Sequence, residues 1–267
     1  MLTLHHSPFS VASQKVCITL AEKRVDWNDR IVDLLAGEHC LETFRRLNPR
    51  AEVPVLEHAG HVFVESWPIC EYIDETVPQF PLMPASAIDR HTARVWNQCV
   101  ERDLHHASGM LTYAVFARPM LKEQPPETLS ALLQAVPDPA VRAWRSSVLE
   151  KGLDAPEIPD CIERHRAFFQ RVESHLPDSH AWLAGPAFSL ADIAVLPYVM
   201  RAEHLGLGDL MTFESTPHLR SWYLRMLTRP SMQPALVRYV DATTQNLLTS
   251  LSAAAHPALS RLIAHTA

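Results

Sequence analysis

The sequence predicts two parts of different class: a small α/β unit over residues 1–79 and an all-helical part over 88–267, joined by a linker at 80–87. Three observations carry this. Short alternating runs of strand type are confined to the first 64 residues. Phe80-Pro81-Leu82-Met83-Pro84 cannot continue a helix and reads as a connection. Beyond it apolar residues recur at helical spacing, as at Ala93, Trp96, Val100, Leu104 and Leu111, and no strand signal of comparable strength returns.

Leu2–His5 alternates as a first strand, and Ser7-Pro8-Phe9-Ser10 is turn chemistry. From Ser13 a helix follows through Val16, Cys17, Leu20 and Ala21. Trp27–Asp33 reads as a second strand, so the first three elements make a right-handed parallel βαβ unit. Gly37-Glu38-His39 opens a loop or short helix running to Leu47, ended by Asn48-Pro49. Val53–Glu57 and His61–Val64 flank Ala59-Gly60 as a hairpin, and Pro68–Glu75 is the next helix, closed by Val77-Pro78. The order βαβ then ββα is that of a thioredoxin-like domain. Helices are then predicted over 89–117, 141–151, 160–176, 190–203, 217–228 and 247–264, with Pro125-Pro126 and Val136-Pro137-Asp138-Pro139 as breaks. Ser189 and Asp192 form a capping-box variant, with Phe188 and Ile193 as its hydrophobic staple.

Composition narrows the function classes. A formal charge of −6 provides no basic field for nucleic acid or an anionic membrane. No run approaches a membrane span, and the first residues have no basic-then-apolar leader. The five cysteines form no C-x-x-C pair, so neither a disulfide framework nor a zinc site is indicated. No histidine–carboxylate spacing suggests another metal. A reducing cytoplasm is the expected home.

The chemistry centres on Asn48-Pro49-Arg50-Ala51-Glu52-Val53-Pro54-Val55-Leu56 and, beyond it, Glu65-Ser66-Trp67-Pro68. A proline at a strand start gives up no ladder bond, and X-Pro is the peptide bond for which cis is accessible. A cis bond there turns the Val53 amide and carbonyl outward to pair with an extended peptide. Glu65-Ser66 stands at a helix start, whose open amides and positive dipole end suit a carboxylate. Asn-Pro-x-x-x-Val-Pro-x-Leu followed by Glu-Ser resembles the glutathione-binding half of cytosolic glutathione transferases, and the βαβ module followed by helices matches their two-domain plan. The resemblance implies that Val53 and Pro54 meet the cysteinyl backbone of glutathione and that Glu65 and Ser66 hold its γ-glutamyl end. It also implies that His39 meets the glycine end, with Arg50 and Glu52 close by. Some classes carry a second histidine where this chain has Ala51. Lys15 and Arg46 read as helix-surface charges.

Glutathione is a nucleophile as thiolate, and a free thiol with a pKa of about 8.5 is mostly protonated at neutral pH. A hydroxyl hydrogen bond and a helix start both shift that balance, and the turn before the first helix offers Ser7, Ser10 and Ser13. By alignment into Val16-Cys17-Ile18-Thr19-Leu20, Ser10 falls on the position used by zeta-like and omega-like members of this Ser- or Cys-using group, and Ser13 on the serine of bacterial β-etherase-like members. Ser13 also reads as a plain helix cap. Neither tyrosine nor cysteine stands in this turn, which disfavours tyrosine-dependent and mixed-disulfide mechanisms.

A second pocket for a small aromatic electrophile is expected from Trp96, His105, His106, Met110, Tyr113, Phe116 and Trp144. His105 and His106 point about 100° apart on a helix, so at most one polarises a leaving oxygen. Arg94-Val95-Trp96-Asn97, Glu65-Ser66-x-x-Ile69-Cys70-Glu71-Tyr72 and Val136-Pro137-x-Pro139 with Arg142-Ala143-Trp144-Arg145 resemble bacterial glutathione-dependent β-aryl etherases and their fungal relatives. That likeness implies thiolate attack on the carbon bearing an aryloxy group beside a ketone. It also implies a homodimer. The rival readings are a reductive dehalogenase or zeta-like isomerase, weakened by Ala12 where both carry a cysteine, and a non-catalytic glutathione- or ligand-binding protein of the same fold.

Overall fold

A computed structural model describes residues 1–265. By contacts the chain forms two compact units. Unit one comprises Met1–Met83, Leu121–Ser146 and Pro230–Tyr239; unit two comprises Pro84–Met120, Ser147–Arg229 and the chain from Val240 on. Segments 121–146 and 230–239, which the sequence reading puts in the helical part, thus cluster with the α/β elements.

The elements run β1 (Leu2–His6), α1 (Val11–Glu22), β2 (Trp27–Ile31), a 3-10 turn at Glu38–Cys40, α2 (Glu42–Arg45), β3 (Val55–His58), β4 (His61–Val64) and α3 (Ser66–Thr76). The sheet order is β2-β1-β3-β4, with β1 and β2 parallel and the other pairs antiparallel. Two strand ends differ from expectation. β2 stops at Ile31 because the Asp33 carboxylate accepts the amides of Leu35 and Ala36 and starts a turn. β3 begins at Val55 because Pro54 has no amide to give the ladder; the Val53–Pro54 bond is cis.

Leu2, Leu4 and His6 alternate onto the buried face of β1. α1 and α3 pack Val16, Ile18, Leu20, Ile69 and Ile73 without exposed surface. The two helices are also joined by charge. The fully buried Lys23 ammonium meets Asp74 Oδ1 at 2.6 Å, and the same carboxylate accepts the amides of Leu82 and Met83 at 2.8 Å each. Asp74 therefore fixes the course of the chain after α3. Burying such a pair is tolerable because every oxygen is met.

After α3 the chain forms α4 (Ala87–Cys99), α5 (His106–Thr112) and α6 (Arg118–Leu121), with π-type turns at Val100–His105 and Tyr113–Ala117 between them. Next come α7 (Pro126–Ala135), α8 (Pro139–Lys151), α9 (Ile158–His175), α10 (Leu190–Leu205), α11 (Pro217–Leu227), α12 (Met232–Ala235) and α13 (Ala242–His265). α7 replaces the break expected at Pro125-Pro126: Pro126 takes the first helical position, where a missing amide costs nothing.

In unit two, Asp192 is the buried hub. Its carboxylate accepts Ser189 N, Ser189 Oγ, Leu183 N and Trp222 Nε1 at 2.8–3.2 Å, and the expected capping box is present. Among the described residues no helix is long and apolar enough to cross a membrane.

Candidate functional site

The site is built at one end of the sheet in unit one. His5 of β1 lies opposite Val55 of β3, and Val55 opposite Val64 of β4. Adjacent strands are about 4.8 Å apart. The turn after β1, the Val53-Pro54 step before β3 and the Glu65-Ser66 step after β4 therefore leave neighbouring strands at the same end. β2 ends there too, since His6 pairs with Ile31, and its continuation leads to Gly37 and His39. Strand register gathers four segments that the sequence spreads over nearly sixty residues.

The turn after β1 is pinned by its own serines. Ser10 N donates to Ser7 O at 3.0 Å, Ser10 Oγ accepts Ser13 N at 3.2 Å, and Ser13 Oγ accepts Ser7 N at 3.4 Å. Ser10 is thus the cap of α1 and Ser13 lies inside the helix, the reverse of the capping role considered for Ser13. Ser13 is fully buried, whereas Ser10 keeps part of its surface. A capping hydroxyl uses a lone pair, which leaves its proton for another acceptor. Gln14 Nε2 donates to Pro8 O at 2.8 Å and holds the turn from the other side.

Around Pro54, Asn48 organises the loop. Its side chain donates to Glu52 O at 2.8 Å and accepts Arg50 N at 3.1 Å. The Arg50 guanidinium bridges two carboxylates, meeting Glu65 Oε1 at 2.7 Å and Glu52 Oε2 at 3.1 Å. Arg50, expected near the glycine end of a ligand, is instead tied to Glu65. Glu65 has φ +69°, a left-handed conformation that non-glycine residues adopt where surroundings hold them there. It presents α3 with Ser66 at its first position, buried, and the amides of the first turn facing out of the helix.

His39 is buried on the 3-10 turn, and its Nδ1 has no hydrogen-bond partner. Burial, and secondarily the Arg145 guanidinium, push its pKa down to about 4 against the pull of Asp33, so the ring is neutral at pH 7. The preceding Gly37 has φ +76°, and a Cβ there would lie 2.7 Å from Leu132 Cδ2 of α7. Glycine is required on both counts.

The residues expected to meet an electrophile fall in both units. Trp144 belongs to unit one; His105, His106 and Tyr113 belong to unit two. His105 and His106 are exposed, and Tyr198, fully buried, bonds His105 Nδ1 at 2.8 Å. Trp96, Met110 and Phe116 are buried, and Trp96 Nε1 donates to Leu183 O; packing and hydrogen bonding account for them. Unit two also has a cleft of about 480 Å³ lined by Val95, Trp96, Cys99, Arg171 and His175 among others. Lys15, read as a surface charge, is fully buried, because all of α1 from Val11 to Leu20 is covered. Arg46 is exposed and pairs with Glu42 one turn back. Among the described residues no group of three His, Cys, Asp or Glu is arranged to hold a metal. Lys23–Asp74 escaped sequence reading, since a buried charge carries no mark in the sequence.

The glutathione S-transferase N-terminal domain model matches residues 4–81, and the C-terminal domain model matches 131–230. Protein LigF of Sphingobium is 27% identical over 227 residues, covering 83% of this chain and 87% of its own. The glutathione S-transferase TCHQD of Arabidopsis thaliana is 25% identical over 257 residues, covering 90% and 91%. The crystal structure of the β-etherase LigF superposes with a TM-score of 0.79 at 26% identity, over 89% of this chain and 99% of that one.

Proposed function

The chain belongs to the glutathione S-transferase family, and from that premise we propose that it holds glutathione at this end of the sheet and transfers it to a small aromatic electrophile. The observation that carries the reading is the register His5–Val55–Val64, which brings the turn serines, Val53-Pro54 and Glu65-Ser66 to adjacent strand ends. In this reading Val53 pairs with the cysteinyl backbone, and Ser66 and the first-turn amides of α3 take the γ-glutamyl carboxylate. The Glu65 carboxylate, oriented by Arg50, takes the γ-glutamyl ammonium, and His39 lies at the glycine end. Ser10 donates its hydroxyl proton to the glutathione sulfur. The start of α1 adds its dipole, and together they favour thiolate over thiol.

The sharper form is glutathione-dependent cleavage of β-aryl ethers, which the likeness to LigF supports. The thiolate attacks the carbon bearing the aryloxy group, the carbon–oxygen bond breaks, phenolate leaves, and a glutathione thioether of the ketone remains. The adjacent carbonyl speeds the displacement, so the protein's work is alignment and deprotonation. His105, His106, Tyr113 and Trp144 are the residues proposed to meet the electrophile. A homodimer is proposed from family membership.

Stopped-flow ultraviolet titration of bound thiol tests the mechanism: a thiolate pKa no lower than that of free glutathione removes it. Incubation with both enantiomers of a model β-aryloxy ketone tests the ether-cleaving form. Phenol release from neither, beside good conjugation of simpler aryl electrophiles, retires that form and keeps the transferase.

A further inference from the structure

α5 carries a glycine at its middle, Gly109. A glycine inside a helix weakens it relative to alanine, so each such position calls for a local reason. The other six glycines have one. Five adopt positive φ, and a Cβ on Gly208 would lie 3.2 Å from Glu203 Oε2. Gly109 has neither: its φ is not positive, and beyond its own helix backbone a Cβ there would meet no described atom within 4 Å. Nothing within the chain demands the missing side chain.

The space it leaves has defined walls. On a helix, residues 105 and 106 stand one turn behind position 109, and 112 and 113 one turn ahead. The open patch over Gly109 is therefore flanked by His105 and His106 on one side and by Thr112 and Tyr113 on the other. Both walls are anchored on α10. Tyr198, fully buried, bonds His105 Nδ1 at 2.8 Å, and Arg201 Nη1 donates to Thr112 Oγ1 at 2.9 Å. The π-type turns at Val100–His105 and Tyr113–Ala117 bound α5 at each end, an irregularity concentrated at functional sites.

We propose that Gly109 is the floor of the electrophile site, leaving open a recess that seats an aryl ring between His105, His106 and Tyr113. The proposal deepens the reading above and rests on it, since these three residues are the ones offered there to meet the electrophile. A ring seated over Gly109 has an imidazole or a phenol one helical turn away on either side, the flat apolar partners an arene takes. Side-chain volume at position 109 then sets how much room the electrophile has.

Gly109→Ala and Gly109→Leu in the full chain test this, with glutathione and two probes: 1-chloro-2,4-dinitrobenzene and a two-ring β-aryloxy ketone. Both variants add a better helix former, so their urea midpoints are expected to rise. Against that gain, kcat/KM for each probe that the wild-type chain turns over is expected to fall in order of bulk. The fall is about 10-fold or more for leucine, the scale of a side chain forced into occupied space, and is carried mainly by KM. Glutathione affinity, measured by calorimetry, is expected to hold. If folded Gly109→Leu keeps the wild-type kcat/KM, the recess is not used: the proposal is overturned and the transferase reading stands. If rate and urea midpoint fall together in both variants, the glycine serves packing and the proposal is equally overturned. If the wild-type chain binds glutathione but turns over neither probe, the transferase reading fails and the proposal with it.

Discussion

Ser10 and Ser13 share one hydrogen bond, the Ser13 amide donating to the Ser10 hydroxyl at 3.2 Å. That bond separates two residues the sequence leaves equivalent. Ser10 stands at the helix mouth with surface to spare, and Ser13 is sealed beneath the turn with its oxygen on the Ser7 amide.

Ser10→Ala is expected to lower the transfer rate by about 10- to 100-fold, the scale of a hydrogen bond to a charged sulfur. It should also raise the pKa of bound thiol and cost about 1 kcal/mol of stability through the lost cap. Ser13→Ala is expected to cost about 1–3 kcal/mol by orphaning the Ser7 amide, with the thiol pKa little changed. Rate, thiol titration and urea midpoint measured on both variants decide the assignment; a thiol pKa moved by Ser13→Ala alone reverses it.

Acid should unfold the protein through its buried imidazoles. His39 and His165 are both buried, and burial pushes each pKa down to about 4 from 6.5. Between those values the unfolded chain binds more protons than the native one. Stability therefore rises with pH across the window and is lost as pH falls from 6.5 towards 4, by about 1.4 kcal/mol per unit for each ring. Urea midpoints at pH 7, 5.5 and 4.5 measure the slope, and His165→Gln is expected to flatten it in part, the remainder coming from His39, His6 and His204.

The Lys23–Asp74 pair makes an asymmetric prediction. Lys23→Met leaves a buried carboxylate still met by two amides, and is expected to cost about 3 kcal/mol. Asp74→Leu leaves the ammonium with two backbone carbonyls and no counter-charge and orphans the amides of Leu82 and Met83, so its cost should be larger. Equal midpoints for the two variants would show that the amides contribute nothing.

Asp192→Ala is expected to be among the most damaging single changes in unit two, because four donors lose their acceptor at once. A loss of about 4 kcal/mol is anticipated, against about 1 kcal/mol for Ser189→Ala, which removes the cap bond from Ala191 N and only one of the Asp192 contacts. Chemical denaturation followed by tryptophan fluorescence suits the test, since Trp222 is itself a donor to Asp192.

Much of the fold was legible because local rules and tertiary packing agree. Ser189-x-x-Asp192 wrote its own helix start, and Ala59-Gly60 wrote the hairpin between β3 and β4. The misreadings have local causes as well. Pro126 looked like a break because proline both stops a helix and starts one, and only the residues that follow show which. Lys15 looked solvated because its neighbours on α1 do not reveal that the whole helix is covered.

The sequence by itself determined the class of each part, the succession of strands and helices, and the two words, Val53-Pro54 and Glu65-Ser66, by which a glutathione site was expected. Tertiary structure decided which serine is open, that Arg50 serves Glu65, and that His39 is buried on its turn. The physical reason is range. Helix propensity, caps and turns are set within a few residues, whereas burial and the pairing of charges depend on which surfaces meet once the chain has closed.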